Sequence, residues 1–389
     1  MTARVLPENF NRNDFLKNYW QKKPLLIRAT NSDFIDPVTP EELAALACED
    51  EAEARLVQVN PQQSEWTLRH GPFTEADFLS LPASHYSLLV QSVDQWVDDV
   101  AAMLADFDFI PGWRVDDIMV SYASDQGNVG PHFDYYDVFL IQGQGQRRWQ
   151  TGQHCDHTTE LQTSSDMKLL QNFQATEEYL LEAGDILYLP PGIAHYGIAE
   201  GSALTYSVGF RAPSWAEILG GVVDEVLDEL NEGERYTDAC PRLPLHRGEI
   251  PGDVIDALQQ GINKRLGNRQ LIRRWFGKTM TEPRYVAQIG TDEVIACHQT
   301  LQRQLLGGQQ LYPAPGARFA YTIEDQQAEL YANGDCIALP SRALCLLQAL
   351  SDSNPMAPLP DKIIRAVLND PEVAQLLLKL LNQGSLIIE

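Results

Sequence analysis

Two histidines and one aspartate have the types and the spacing of a metal site. His132 and Asp134 lie two positions apart, and His195 follows 61 residues after Asp134. Residues i and i+2 of a β-strand point to the same side, so His132 and Asp134 would face one interior. His195 comes just after a rigid Pro-Pro-Gly turn at 190–192, which would hold it at a strand edge. Two histidines and a carboxylate on one face leave three positions of an octahedral metal open, as in ferrous sites that bind a co-substrate and O₂. The alternative is two ordinary core histidines, which the β-rich surroundings and the turn disfavour.

An arginine on the neighbouring strand is suited to binding a carboxylate. Arg147 lies 15 residues after His132, and its guanidinium can form two parallel hydrogen bonds with a carboxylate. Arg148 should face the opposite side, because neighbours along a strand alternate. Ser207 on a later strand, and Tyr122 on the strand before His132, could complete this site. Tyr122 would serve equally well as a core residue.

The segment that carries these residues has the rhythm of an all-β barrel or sandwich. Gly, Pro, Asn and Asp interrupt the apolar runs of residues 117–212 at regular intervals. The predicted strands are 118–122, 137–141, 147–150, 179–181, 186–189 and 204–210. Before them, the pattern predicts a helix at 15–20, a buried strand at 25–27 and a helix at 40–46 with Thr39 as its N-cap.

After Pro213 the pattern becomes helical. Ser214 can cap a helix with one apolar and one acidic face, and a second helical stretch covers about 252–277. Residues 264–278 hold six basic residues and no acid. We expect this basic stretch to pair with the acidic helix, in the same chain or in a partner, rather than with nucleic acid. The apolar stripe of the acidic helix predicts a homodimer.

The last hundred residues predict a hairpin and helices, as in a winged-helix module. The hairpin strands are expected at 318–323 and 329–331, and the helices at 341–350 and 371–381. This region is not strongly basic, so we expect no direct DNA binding. Its expected role is structural or in docking.

The acidic charge balance suits a basic partner and, equally, an enzyme that is kept soluble by its charge. The 389 residues carry a formal charge of −25, which disfavours binding to phosphate backbones. Residues 90–127 hold eight aspartates against the single basic residue Arg114. Just before the metal strand, this excess would attract a basic peptide, although a solvated helix face is an equal alternative. Asp125 and Tyr136 are the predicted substrate contacts.

Other features indicate a cytoplasmic protein without membrane contact. No apolar run approaches the roughly 20 residues of a transmembrane helix. The six cysteines are scattered without a Cys-x-x-Cys pair, which favours reduced thiols. A His-Cys-Asp-His run at 154–157 offers metal-type side chains, but consecutive residues diverge, so a surface loop is expected there.

Several segments together resemble the JmjC, or cupin-type, ribosomal oxygenases. The matching segments are Phe15–Arg28, Gly130–Phe139, Gln142–Trp149, Gly184–His195 and Tyr206–Phe210. The resemblance implies a mainly β catalytic domain with the double-stranded β-helix fold, a helical dimerisation region and a C-terminal α+β winged-helix-like module. The expected boundaries are 1–213 (core 95–212), 214–280 and 281–389.

The resemblance also implies a reaction. Fe(II), 2-oxoglutarate and O₂ would be used to hydroxylate a protein side chain. His132, Asp134 and His195 would be the iron ligands, and Arg147 would bind 2-oxoglutarate. Some relatives that hydroxylate histidine have lysine in place of this arginine. With an arginine at this position, the chain resembles the bacterial enzymes that hydroxylate an arginine of a large-subunit (50S) ribosomal protein.

Two other functions remain open at this point. A JmjC-type demethylase of methylated lysine or arginine would share all of the metal chemistry and differ only in its product. The second alternative is a metal-free or manganese cupin that acts as a binding or scaffold protein. Arg147 and the intact His-Asp-His set argue against it.

Overall fold

The computed structural model describes residues 5–389 apart from 30–33, 64, 164–166, 239–242, 244–245, 285–294, 296, 325–326 and 354–356. The strands are β1 Leu25–Ile27, β2 Ala54–Asn60, β3 Glu65–His70, β4 Tyr86–Val90, β5 Val115–Ala123, β6 Val138–Gln142, β7 Gln146–His154, β8 Ala175–Leu181, β9 Ile186–Leu189, β10 Ile193–Glu200, β11 Ala203–Phe210, β12 Leu311–Pro313, β13 Phe319–Glu324, β14 Gln327–Ala332, β15 Asp335–Pro340 and β16 Leu386–Ile388. The α-helices are α1 Arg12–Asn18, α2 Pro40–Leu46, α3 Glu75–Leu79, α4 Asp98–Ala101, α5 Trp215–Glu229, α6 Gly252–Leu266, α7 Arg269–Thr281, α8 His298–Leu306, α9 Leu344–Ser351, α10 Asp361–Leu368 and α11 Pro371–Asn382.

Two antiparallel sheets form the β-rich part of the chain. The larger has eight strands in the order β1-β9-β6-β11-β5-β4-β2-β3, and the smaller has the order β10-β7-β8. The predicted strands between 117 and 212 are all present, and the mainly β fold class is confirmed. Strand β10 and the β2–β3–β4 extension of the larger sheet were not predicted.

The larger sheet has two different faces, because its side chains alternate along each strand. On one face Ile118, Val120, Tyr206 and Val208 are fully buried in the main core. Phe15 of α1 packs in the same core, where its ring lies 4.8 Å from that of Tyr188. The other face turns toward the smaller sheet and encloses a cavity.

The helix signals in the sequence correspond to real caps. The side chain of Thr39 accepts from the backbone N–H of Glu42, and the carboxylate of Glu42 accepts from the backbone N–H of Thr39. Pro40 is the first residue of α2. Ser214 and Glu217 form the same reciprocal pair at the start of α5. The predicted stretch 252–277 is two helices rather than one, because α6 ends at Leu266 and Asn268 caps the start of α7.

The basic stretch pairs with the acidic helix inside the chain. Arg274 of α7 lies 2.9 Å from both Glu225 and Glu229 of α5, and Lys278 lies 2.7 Å from Glu225. Val222 and Val226 are buried on the same face of α5, which packs against α7. The expected charge pairing is therefore confirmed, with its partner in the same chain.

The C-terminal part joins a β-meander to three helices. Strands β13, β14 and β15 form one sheet, and α9, α10 and α11 pack on a second hydrophobic core with it. The predicted hairpin and α11 are confirmed, including Asp370 as the N-cap of α11. Helix α10 and strand β15 were not predicted. Among the described residues, no helix is both long and apolar enough to cross a membrane.

Two adjacent glycines of α5 give a matched test of the α5–α7 packing. A Cβ at Gly221 would lie 1.7 Å from the indole nitrogen of the buried Trp275, whereas a Cβ at Gly220 would meet nothing within 4 Å. We expect Gly221→Ala to lower the free energy of unfolding by about 1–3 kcal/mol through overpacking. Gly220→Ala should raise it by about 0.5–1 kcal/mol through helix propensity. Urea unfolding followed by circular dichroism measures both; equal effects would contradict the packing.

Candidate active site

A backbone bridge brings the two predicted histidines together. The N–H of His132 donates to the carbonyl of His195 at 3.1 Å, and the N–H of His195 donates back at 2.8 Å. The N–H of Gly192, at the end of the Pro-Pro-Gly turn, donates to the carbonyl of Asp134 at 2.7 Å. His132 thus forms an isolated bridge, and residues 132–134 are not part of the regular strand that was expected. The bridge nevertheless places both segments side by side.

The three side chains converge on one point. The ligand atoms of His132, Asp134 and His195 all lie within 4.8 Å of one another. Nε2 of His195 is 3.7 Å from Oδ2 of Asp134, and the two imidazole centroids are 4.2 Å apart. Each histidine directs Nδ1 at a backbone carbonyl, that of Gly130 or that of Ile193. With the Nδ1–H donated there, the Nε2 lone pair is free to bind a metal.

Burial keeps His195 in the form that a metal needs. The side chain is almost fully enclosed, next to Trp149. Burial and the neighbouring His132 lower the pKa of His195 to about 4. The imidazole is therefore neutral at pH 7, so little proton competition opposes metal binding.

Arg147 is buried without a partner. Its side chain lines the same cavity and packs on Trp149, with the guanidinium carbon 5.7 Å from the ring. Nε and Nη2 are buried and have no hydrogen-bond partner among the described residues. Burial lowers the pKa of Arg147 to about 10, so it stays charged at pH 7. An unpaired buried cation is costly, and a carboxylate bound in the cavity would relieve that cost.

Arg148 faces the other way, as strand alternation predicts. It is partly exposed and pairs with Glu178 of β8 and Glu200 of β10 at 2.6 and 2.5 Å. The charge of Arg148 is thus compensated on the outer surface, and Arg147 alone of the pair enters the cavity.

The cavity around these groups has a volume of about 600 Å³. Leu140, Ser207 and Trp149 line it near Arg147. A second wall comes from the β2–β3–β4 extension, including Arg55 and Gln91. The spacing of the metal motif does not predict this wall, because strands β2–β4 end more than 40 residues before His132.

Known proteins share this architecture. A model of the JmjC domain matches residues 102–218, and a model of the ROXA-like winged helix matches residues 258–387. The ribosomal protein uL16 3-hydroxylase of Escherichia coli (strain K12) is 36% identical over 377 residues, which cover 95% of this chain and 96% of that protein. A probable ribosomal oxygenase of Haemophilus influenzae is 33% identical over 85% of this chain and 83% of its own length. The structure of YcfD, a ribosomal oxygenase from Escherichia coli in complex with cobalt and 2-oxoglutarate, has a TM-score of 0.86 at 35% identity, over 98% of this chain and 99% of that one.

The chain belongs to the JmjC-domain ribosomal oxygenases. The chemistry of this oxygenase's cavity fits the cofactors of its family. Two imidazoles and a carboxylate suit Fe(II), and His132, Asp134 and His195 would hold it. The orphaned guanidinium of Arg147 suits the distal carboxylate of 2-oxoglutarate. Ser207 lines the same cavity and stays a proposed second contact.

The structure does not bring Tyr122 to this carboxylate site. Met119 and Ser121 of β5 line the cavity, so the alternation along the strand turns Tyr122 to the opposite face. There it packs at the edge of the main core, with its ring 6.1 Å from that of Tyr86. The prediction that Tyr122 binds 2-oxoglutarate is wrong, and its alternative role as a core tyrosine fits.

The two predicted substrate contacts have different positions. Tyr136 lies at the rim of the oxygenase's cavity with 41% of its surface exposed. The charge of Asp134, followed by burial, raises the pKa of the Tyr136 hydroxyl. Asp125 lies outside the cavity, where its carboxylate accepts from the N–H of Gly201 at 2.8 Å. Asp125 therefore ties a loop to the β10–β11 turn at the exposed surface, and its role in binding substrate stays a prediction.

The acidic segment 90–127 is not the free basic-peptide surface that its composition suggested. Several of its carboxylates are taken up by contacts within the chain. Asp94 accepts from Ile118, Asp106 from Leu6, Asp117 from Ser92, and Asp108 and Asp116 pair with Arg12 and Arg211. Of the segment's aspartates, Asp116 and Asp117 line the cavity.

The run at 154–157 is not a second metal site. His154 is exposed, Cys155 is buried, and Asp156 accepts from the backbone and hydroxyl of Thr158. Among the described residues, His132, Asp134 and His195 are the one group of three or more such side chains close enough to share an ion. The five described cysteines are free thiols, and Cys240 lies outside the described residues.

Removal of one ligand tests the metal centre. We expect His132→Ala, Asp134→Ala or His195→Ala to abolish turnover and to weaken metal binding by more than about tenfold, since each removes one of three protein ligands. Calorimetric titration with Mn(II) under anaerobic conditions measures the affinity. His154→Ala is the control, and a variant of the three that binds metal as well as the control would remove that residue from the site.

The two adjacent arginines test the co-substrate site. Arg147→Ala should raise the KM for 2-oxoglutarate by about two to four decades, the cost of losing a buried charge pair. Arg147→Lys should keep part of the activity, because the charge survives and the bidentate geometry is lost. Arg148→Ala should change the KM little. Steady-state succinate formation measures all three, and a larger effect at Arg148 would contradict the orientation of β7.

Proposed function

We propose that the protein is an Fe(II)- and 2-oxoglutarate-dependent dioxygenase that hydroxylates an arginine side chain of a large-subunit ribosomal protein. One observation carries the chemistry: a His-Asp-His cluster and an unpaired, buried arginine share one cavity. A binding or scaffold protein would gain nothing from leaving Arg147 buried and uncompensated.

The chain's own residues position the reactants. His132, Asp134 and His195 would hold the metal at the wall of the cavity. Iron, when bound, supplies the activation of O₂ by which an unactivated C–H bond is oxidised while 2-oxoglutarate is converted to succinate and CO₂. Arg147 orients the 2-oxo acid by its distal carboxylate, and Leu140 and Trp149 give this end an apolar wall that excludes water. Holding the reactants at fixed distances contributes much of the rate enhancement over the uncatalysed reaction.

The substrate class rests on the full-length similarity to the uL16 3-hydroxylase of Escherichia coli and on the cavity's carboxylates. A basic side chain entering the cavity would meet Asp116 and Asp117 beside the metal ligands. A ribosomal protein as substrate would also place the enzyme in the cytoplasm.

Hydroxylation and demethylation differ in the mass of the product. Ribosomal proteins from a deletion strain and its parent should differ by about 16 Da, one oxygen, on a single arginine peptide of uL16 in intact-mass and tandem mass spectrometry. Re-expression of the protein should restore the added oxygen, and re-expression of His195→Ala should not. Loss of a methyl group in the parent strain would favour the demethylase, and identical spectra would contradict both.

We infer further that the protein is a homodimer built on α5 and α6. Apolar side chains recur every fourth residue on the outer side of α5, and α6 adds a similar row. They are Trp215, Leu219, Val223 and Leu227 on α5 and Ile255, Leu258 and Ile262 on α6. Each is more than a third exposed, and contiguous apolar surface of this kind marks protein interfaces. A second copy would cover it by two-fold symmetry.

A charge placed in this face tests the dimer. We expect the protein to have twice the mass of its chain in light scattering at micromolar concentration. Leu219→Glu should shift it to the monomer, because a carboxylate would be buried without a partner. Leu306→Glu, an equally exposed leucine at the end of α8, is the control. A monomeric parent protein would contradict the inference.

A further inference from the structure

One cation in the active-site cavity comes from the helical region that follows the catalytic sheets. Arg284 follows α7, and its guanidinium Nη1 lies 2.6 Å from Oδ2 of Asp116. Both residues line the cavity that contains His132, Asp134 and His195. The cavity thus already holds a guanidinium–carboxylate pair of the kind that an arginine substrate would form.

Asp116 has two kinds of arginine partner. Arg211 donates to Oδ1 at 2.9 Å and also to the carbonyls of Thr279 and Met280. Arg318 lies 4.0 Å from Oδ1 and donates to the carbonyls of Asp116 and Val115. The exposed fractions of these two arginine side chains are 6% and 15%, so both belong to the framework around Oδ1.

Arg284 differs from both in exposure and in the oxygen that it contacts. Its side chain is 57% exposed, and it pairs with Oδ2 rather than with Oδ1. Ion pairs with an exposed partner are weak and exchange readily. Of these three arginines, Arg284 is therefore the one that can leave Asp116 without breaking the contacts of the other two. It is also the one that pairs with Oδ2.

A second acid lies within electrostatic reach of the displaced arginine. Glu217 stands in the first turn of α5, and its pKa lies below the usual range because of hydrogen bonds from Ser214 and, to a smaller extent, the charge of Arg284. Arg284 can thus move off Asp116 and still remain near a carboxylate.

We propose that Arg284 is an internal competitor for the substrate's arginine, occupying Oδ2 of Asp116 until the substrate's guanidinium replaces it. The inference rests on the proposed arginine substrate. Because the two groups are chemically alike, Asp116 stays neutralised before and after the exchange. Arg284 thereby lowers the affinity of the cavity for the substrate's arginine and takes no part in the chemistry.

The test measures binding without turnover. A uL16 peptide with the substrate arginine, and the same peptide with norleucine in its place, are titrated into the full chain with Mn(II) and 2-oxoglutarate under anaerobic conditions. Arg284→Ala and Arg284→Gln should bind the arginine peptide about two- to five-fold more tightly, which corresponds to removing an exposed ion pair. Neither variant should change its affinity for the norleucine peptide. The KM for the arginine peptide should fall by the same factor.

Arg342→Ala is the matched control, because it removes the same charge from an exposed pair with Asp370 in the C-terminal module. Its affinity for both peptides should equal that of the parent protein. Unchanged or weaker binding of the arginine peptide by the Arg284 variants would overturn the competitor role while leaving the proposed function intact. A parent protein that does not distinguish the two peptides would overturn both.

Discussion

The backbone bridge between His132 and His195 is the constraint on which the active site depends. It joins a loop to the first residues of β10, and its two hydrogen bonds set which residues of the two segments face each other. A shift by one residue would turn each ligand away from the others, since side chains alternate along extended chain. The Pro-Pro-Gly turn supports the same register, because the N–H of Gly192 is bonded to the carbonyl of Asp134.

The larger sheet separates stability from chemistry by its two faces. One face packs on α1 and the other N-terminal elements in the main core. The opposite face contributes polar and charged groups to the cavity, including Ser207 and Asp117. The apolar core on the first face offsets the cost of keeping charged groups such as Asp117 out of water on the second. Period-two alternation is enough to produce this division.

The acidic composition is organised by local pairs rather than by one large negative surface. Arginines from three separate places in the chain reach Asp116: Arg211 after β11, Arg284 after α7 and Arg318 before β13. These contacts tie the helical region and the C-terminal module to β5 at the wall of the cavity. In the same way, α7 is held to α5 by Arg274 and Lys278. The C-terminal module is therefore attached to the catalytic part through charge as well as packing.

The sequence by itself determined the residues whose role depends on local geometry. The strand rhythm, the caps at Thr39 and Ser214, and the opposite orientations of Arg147 and Arg148 all follow from alternation or capping within a few residues. What lies across the cavity was decided by tertiary structure alone. Asp125 has the charge for a substrate contact but is bonded to Gly201, whereas Arg284, 150 residues from Asp134 in sequence, lies in the cavity. Local patterns report which side of an element a residue faces, but long-range packing decides what stands opposite.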